Sequence, residues 1–313
     1  MKIVSASPHL HSGDNTQRLM RDVLIALSPA LAFSIWVYGP MALCTSAVAV
    51  MSCILFEWVI TRFLLHRPSS ISDCSAALTG LLLAFNLPAE ISPWLVILGS
   101  LVAIGVAKMS YGGLGRNLFN PALVGRVFLL ISFPVQMTTY TINGVTGATP
   151  LALAKGATWT GSIANFDMSS MILGIGKGGS MGEIAGLLLL LGGVYLLVRK
   201  VITWHIPVCV LGSMAIFSAI LWGVDSTKYA SPLFQIFAGG AILGAIYMAT
   251  DYVTSPMSHS GMILYGVGIG VITILIRTWG AYPEGVSFAI LIMNATVPLI
   301  NMYMKPKRFG VKK

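Results

Sequence analysis

Residues 75–88 read SAALTGLLLAFNLP, an apolar run that ends in Asn86, Leu87 and a proline. About thirteen residues precede that proline, and at about 1.5 Å of rise per residue they cannot cross a hydrocarbon core about 30 Å thick as a straight helix. The run is therefore expected to form a broken or re-entrant element. A second run of the same kind lies at 239–256, GGAILGAIYMATDYVTSP, where Gly244 follows Gly80 by 164 residues and polar residues and a proline again close the segment. A further echo sets GRNLFNPAL around Asn120 against AILIMNATV around Asn294, 174 residues later.

The chain around these runs is greasy throughout. Of 313 residues, 56% are hydrophobic and 9% charged, against about 25% charged in an average soluble domain. Apolar blocks fall near 22–39, 41–61, 75–87, 93–109, 118–134, 182–198, 205–223, 233–250, 261–279 and 286–304. The expected fold is an all-α polytopic membrane protein of about ten transmembrane helices. It forms one integral domain over 1–313, made of a five-helix half at 1–134, a long loop at 135–181 and a second five-helix half at 182–313. Five is odd, so two related halves of five helices have opposite orientation, and inverted repeats with interrupted helices place binding sites between the halves near the midplane. The polar first twenty or so residues lack the short apolar region and cleavage site of a signal peptide and are read as retained.

The formal charge of +9 does not indicate nucleic acid, because the basic residues lie in scattered loop-sized clusters without aromatic interleaving. Topology explains them better. With the N-terminus in the cytoplasm, 14 Lys and Arg fall inside, Lys108 and Arg116 among them, and only Lys155, Lys177, Lys228 and Arg277 outside, with Arg126 within a span. That bias orients the chain with both termini cytoplasmic and the 135–181 loop outside. The cysteines, Cys44, Cys53, Cys74 and Cys209, are too dispersed for a disulfide framework or an iron–sulfur site. The histidines lie mostly at membrane boundaries rather than deep in the bundle, which argues against axial haem ligation.

The long loop carries the segment TINGVTGATP, residues 141–150. A loop of this length is more often functional or disordered than a plain connector. Thr149-Pro150 reads as an N-cap followed by proline at the first helical position, and Gly147 and Ala148 remove side-chain bulk beside it. Taken alone, this pattern favours a capped surface helix.

TGAT in the loop after a fifth span, SPH at residues 7–9, RDVLIALSPA opening the first helix and GRNLFNPALVGR opening the fifth together resemble the NqrB/RnfD family, whose members are membrane components of the sodium-pumping NADH:quinone reductase and of the Rnf electron transport complex. The resemblance spans essentially the whole chain, and the early start of the first helix favours the Rnf branch. It implies FMN joined to Thr149 by a phosphodiester bond, with Thr146, Gly147 and Ala148 completing the acceptor motif and a separate flavin transferase installing the group. Many such motifs begin with aspartate six residues before the threonine; this chain has Asn143 there. The resemblance further implies a second, non-covalent flavin, riboflavin or FMN, between the helices on the cytoplasmic side. Asn117 and Asn120, near Arg116, are the candidates, since an amide matches the donor and acceptor edge of an isoalloxazine; Asn120-Pro121 is otherwise a helix cap.

Intramembrane carboxylates are few and therefore informative. Glu57 and Asp251 are the candidates for a cation path; the structural readings are a salt bridge from Glu57 to Arg62 or Arg67 and a cap or turn at Asp251, with Asp73 a further cap. The function implied is that of a membrane flavoprotein component of an ion-translocating ferredoxin:NAD⁺ oxidoreductase in a bacterial or archaeal cytoplasmic membrane, coupled to Na⁺ or H⁺ and incomplete as an enzyme alone. Its partners would be the other subunits, one of them also flavin-bearing, and membrane lipid. No GxGxxG turn set between a strand and a helix suggests that this chain binds NAD⁺ itself. The other reading is a secondary transporter or channel with inverted repeats and no redox cofactor.

Overall fold

The computed structural model describes residues 15–66, 71–142, 145–147, 149–156, 171–172, 174 and 178–305. Helix α1 spans Thr16–Tyr38, and α2 spans Pro40–Val59 before continuing as a π-helical turn, Ile60–Leu64. Gly39 joins them with φ 70° and ψ −155°, backbone angles open to glycine, and Pro40 then supplies a preset φ for the first turn of α2.

Helix α3 is Ser75–Phe85. Its start is fixed by Asp73, whose Oδ1 accepts hydrogen bonds from the Ser75 amide at 2.8 Å and the Ser75 hydroxyl at 2.6 Å. Its end is Asn86, as the short apolar run and the proline imply. Helix α4, Pro93–Leu101, runs into a π-helical stretch, Val102–Met109. Then come α5, Pro121–Ser132, and the short α6, Pro134–Thr138. The loop that follows contains an antiparallel hairpin of β1, Tyr140–Ile142, and β2, Val145–Gly147, with Thr141 opposite Thr146, and then α7, Pro150–Gly156.

The second half has α8, Gly186–Val198, and α9, His205–Val224. The interrupted span expected at 233–250 is two short pieces: α10, Pro232–Phe237, and α11, Ala241–Leu243, which passes into π-helical Gly244–Met248. The break is at Gly239, whose φ of 71° no right-handed helix can accommodate. Helices α12, His259–Trp279, and α13, Val286–Tyr303, close the fold.

Among the described residues, five helices are long and apolar enough to cross a membrane: α1, α2 with its π turn, α9, α12 and α13. Shorter apolar helices are α3, Pro93–Met109, α5 and α8. The chain is thus an all-α polytopic membrane protein. Its outer faces carry exposed Trp36, Met51, Ile216 and Val198, as lipid solvent allows. The interrupted helices lie innermost. Residues 80–85 and 241–248 are buried without a break, because a short helix apolar all round is stable only when protein surrounds it. In the first half α2 packs on α4, and α4 with its π stretch on α5; in the second, α9 packs on α12 and α12 on α13. Contacts of α1 with α8 and of α5 with α13 join the halves.

Candidate functional site

The two asparagines that echo each other in sequence meet at the junction of the halves. Asn120 caps α5 through Oδ1, which accepts from the amides of Ala122 at 3.1 Å and Leu123 at 3.4 Å. Its side-chain Nδ2 donates to the Met248 carbonyl at 3.1 Å, at the end of the second interrupted helix. With the Asn294 amide oriented to match its neighbours, the Asn120 main-chain amide donates to Asn294 Oδ1 at 3.2 Å, and the Asn294 amide nitrogen donates to the Thr254 carbonyl at 3.2 Å and the Tyr265 hydroxyl at 2.6 Å. Both ends of the Asn120 amide are therefore occupied, which makes it a positioning residue rather than a free hydrogen-bonding edge.

Asn86 does the corresponding work at the end of α3. Its Nδ2 donates to the Leu82 carbonyl at 2.6 Å and its Oδ1 accepts from Arg126 Nη1 at 2.9 Å. Arg126 also donates to Ser287 Oγ at 2.5 Å and forms an ion pair with Glu284. One guanidinium thus ties the tip of α3 to the start of α13.

Between the tips and α1 opens a narrow inner cleft of about 80 Å³ whose polar lining includes Ser75, Thr79, Lys108, Asn117, Asn120 and Asp251. Its walls are apolar, Leu19, Val23, Leu82 and Ile246 among them, with a few convergent polar groups, as in small-molecule sites. Asn117 is 5% exposed. Its Nδ2 donates to the Phe119 carbonyl at 3.1 Å, and its Oδ1 is a buried acceptor without a partner among the described residues. Such an orphan is uncommon in a native interior and fits a ligand that donates a hydrogen bond. Arg116 is exposed and is not among the residues lining the cleft.

Lys108 departs from its expected place among cytoplasmic loop cations. It is 2% exposed, and its Nζ lies 2.6 Å from Glu57 Oε2, itself 0% exposed, and 2.6 Å from Ser75 Oγ. Glu57 was expected to pair with Arg62 or Arg67; Arg62 is exposed, and Arg67 lies outside the described residues. The π-helical winding of Val102–Met109 gives the physical reason for the burial of Lys108, since it shifts the register of the last turn of that span. Asp251 is the turn residue the sequence suggests, with Thr254 Oγ1 donating to its Oδ2 at 3.3 Å and the Ser255 amide to its carbonyl at 3.1 Å, and it also borders the cleft.

A second cleft, of about 90 Å³, lies at the α7 end of the molecule and is bordered by Arg126, Tyr140, Thr149, Tyr282 and Glu284. Thr149 is 5% exposed and N-caps α7: its Oγ1 accepts from the Ala152 amide at 3.2 Å, and its carbonyl from the Leu153 amide at 3.0 Å. Gly147 is exposed, and a Cβ placed on it would meet nothing within 4 Å. Space beside the motif backbone and a hydroxyl at the wall of a cleft suit a covalently attached phosphate ester. A seven-residue helix adds little dipole, so the cleft walls rather than the helix end would hold the attached group. Lys155 Nζ donates to the Tyr282 carbonyl at 2.7 Å, and partial burial lowers its pKa. Thr146 lies in β2; Ala148 and Asn143 lie outside the described residues. The hairpin that presents the motif was not legible, because its three-residue strands carry no periodic signal, whereas the Thr-Pro cap was.

Fold and sites together define a polytopic helical membrane protein with two interrupted helices facing an inner cleft and a capped threonine beside a second one. Residues 3–310 match the family described as NQR2, RnfD, RnfE, and the chain belongs to that family. It is 44% identical to the D subunit of the Na⁺-translocating ferredoxin:NAD⁺ oxidoreductase complex of Acetobacterium woodii, with 99% of this chain and 96% of the relative covered. It is 40% identical to the D subunit of the proton-translocating ferredoxin:NAD⁺ oxidoreductase complex of Clostridium ljungdahlii over the same shares. It is 38% identical to the D subunit of the ion-translocating oxidoreductase complex of Alcanivorax borkumensis, covering 99% and 97%.

Proposed function

We propose that this chain is the flavin-bearing membrane component of an ion-translocating ferredoxin:NAD⁺ oxidoreductase, working only with the other subunits of its complex. The supporting observation is Thr149: a threonine in TGAT, buried at a cleft wall as the N-cap of α7, with open space at Gly147. FMN esterified there by a flavin transferase would supply reversible electron transfer. Among the chain's own groups, Thr149 fixes the attachment point, Tyr140 and Tyr282 supply cleft walls, and Arg126 brings positive charge held by Glu284.

The inner cleft is the proposed seat of the second flavin. Asn117 Oδ1 accepts from the ligand, Asn120 fixes the tips of the interrupted helices, and the apolar walls exclude water. Glu57 and Asp251 are the proposed carboxylates of the cation path, the chain lying in the cytoplasmic membrane with its termini inside and the α7 loop outside.

The test is direct. The chain, produced in cells that contain the transferase, is run on a denaturing gel under ultraviolet light. Fluorescence in the wild-type band that vanishes in Thr149→Ala is the expected result. A dark wild-type band overturns the reading and favours a transporter without a redox cofactor.

A further inference from the structure

The Glu57–Lys108 pair invites a question that an ordinary buried salt bridge does not. Lys108 is wedged between a carboxylate and a hydroxyl, 2.6 Å from each, in an interior where two ions lose their hydration and gain back only what their mutual geometry supplies. The same ammonium borders the inner cleft, together with a second carboxylate, Asp251, and the unpartnered buried oxygen of Asn117. Lys108 thus holds one carboxylate, Glu57, and borders a cleft that a second carboxylate, Asp251, and the neutral oxygens of Ser75 and Asn117 also line. Oxygen donors of this kind suit a hard metal cation, whereas a proton needs only a single carboxylate.

We propose that Lys108 is a built-in competitor for the translocated cation: its ammonium occupies the position at Glu57 that a monovalent alkali cation takes when Lys108 moves toward Asp251 across the cleft. The inference rests on the cation-translocating part of the function proposed above and adds to it the residue that gates the site. Entry of the cation at Glu57 adds one positive charge to the interior, and the Asp251 carboxylate balances it when the displaced ammonium turns to it. In that state each of the two carboxylates faces one cation. Lys108 also touches both the cleft and Glu57, so a change of charge on whatever fills the cleft shifts the ammonium's preference and with it the affinity of Glu57 for the cation. A purely structural pair has neither property.

The experiment uses the full flavinylated chain in detergent and follows thermal unfolding in NaCl or choline chloride at equal ionic strength, since a cation that binds only the folded state raises the unfolding temperature with its concentration. In Lys108→Met, Na⁺ replaces the missing ammonium: the unfolding temperature rises saturably with NaCl, at a half-saturating concentration at least about tenfold below that of the wild type. Glu57→Gln combined with Lys108→Met removes the response. Lys108→Gln, which keeps a polar group for Ser75, serves if the methionine variant does not fold. Identical behaviour of both Lys108 variants in NaCl and choline chloride overturns the proposal, and so does failure of both to fold in either salt. Gel fluorescence on the same preparations separates the two readings: a fluorescent band without a Na⁺ response removes only the role of Lys108, and a dark band with the response removes only the flavin.

Discussion

Asn120 and Asn117 stand three residues apart on one loop and do opposite things. Asn120 has its polar groups engaged, on the α5 amides, on Met248 and on Asn294. Loss of an N-cap alone costs about 0.5–2 kcal/mol, and Asn120→Ala also leaves the Met248 carbonyl without its donor. The expected outcome is a loss of about 2–3 kcal/mol, measured by thermal unfolding, with covalent flavin unaffected. Asn117→Leu behaves differently, because it removes an acceptor that no described protein group uses, together with the donor to the Phe119 carbonyl. Stability falls by about 1–2 kcal/mol, while release of the proposed second flavin on acid denaturation, as distinct from the gel-bound fraction, falls at least about tenfold. Equal retention in wild type and variant would show that Asn117 does not hold the second flavin. At this scale the cap at Thr149 was legible, since Thr-Pro before an apolar turn has one geometric meaning. The burial of Lys108 was not: a lysine at the end of an apolar block looks the same whether its last turn points to water or into the bundle, and a π-helical register leaves no signature in composition.

The interrupted helices are held by different means. A Cβ on Gly80 would lie 2.7 Å from the Ala49 carbonyl oxygen and 2.7 Å from Val50 Cα, both backbone atoms of α2. On Gly244 it would collide with Val286 Cγ1 and lie 3.3 Å from Ile290 Cδ1, the ends of side chains on α13. Backbone cannot yield as a rotamer can, so Gly80→Ala must push α3 off α2. Overpacking of this kind typically costs about 1–3 kcal/mol. The expected ranking is a larger fall in unfolding temperature for Gly80→Ala than for Gly244→Ala, and the reverse order would mean that α3 is not locked to the α2 backbone. That the first run was too short to cross was legible in the sequence, because length against bilayer thickness is a hard constraint, and the second was legible as its counterpart through Gly244 and the polar, proline-closed ending. The split of the second run at Gly239 into α10 and α11 was not, since one glycine in an apolar run does not by itself announce a break.

For the molecule as a whole, orientation decides which cleft faces which compartment, and therefore the direction in which electrons and cations must move relative to one another. The basic residues that set it retain their bias once the buried ones are set aside. Lys108 and Arg277 leave opposite sides of the tally: Lys108 pairs with Glu57, and Arg277, 5% exposed, donates to the Ala238 carbonyl at 3.0 Å and to Gln235 Oε1 at 3.0 Å. What remains is concentrated at the ends that the topology assigns to the cytoplasm, Arg199 and Lys200 after α8 and Lys305 after α13, against Lys155 and Lys228 on the other face. Such a bias orients helices whose flanking loops are short. In a background with Cys44, Cys74 and Cys209 replaced by alanine, Ser226→Cys lies in the exposed turn between α9 and α10 and Lys305→Cys just beyond α13. A membrane-impermeant maleimide added to intact cells is expected to label the first and spare the second until the membrane is opened. The converse pattern would place the Thr149 cleft in the cytoplasm and the Glu57–Lys108 pair nearer the outside. The cation exchange proposed at that pair would then load from the outer face, and the chain would couple electron flow to uptake rather than export.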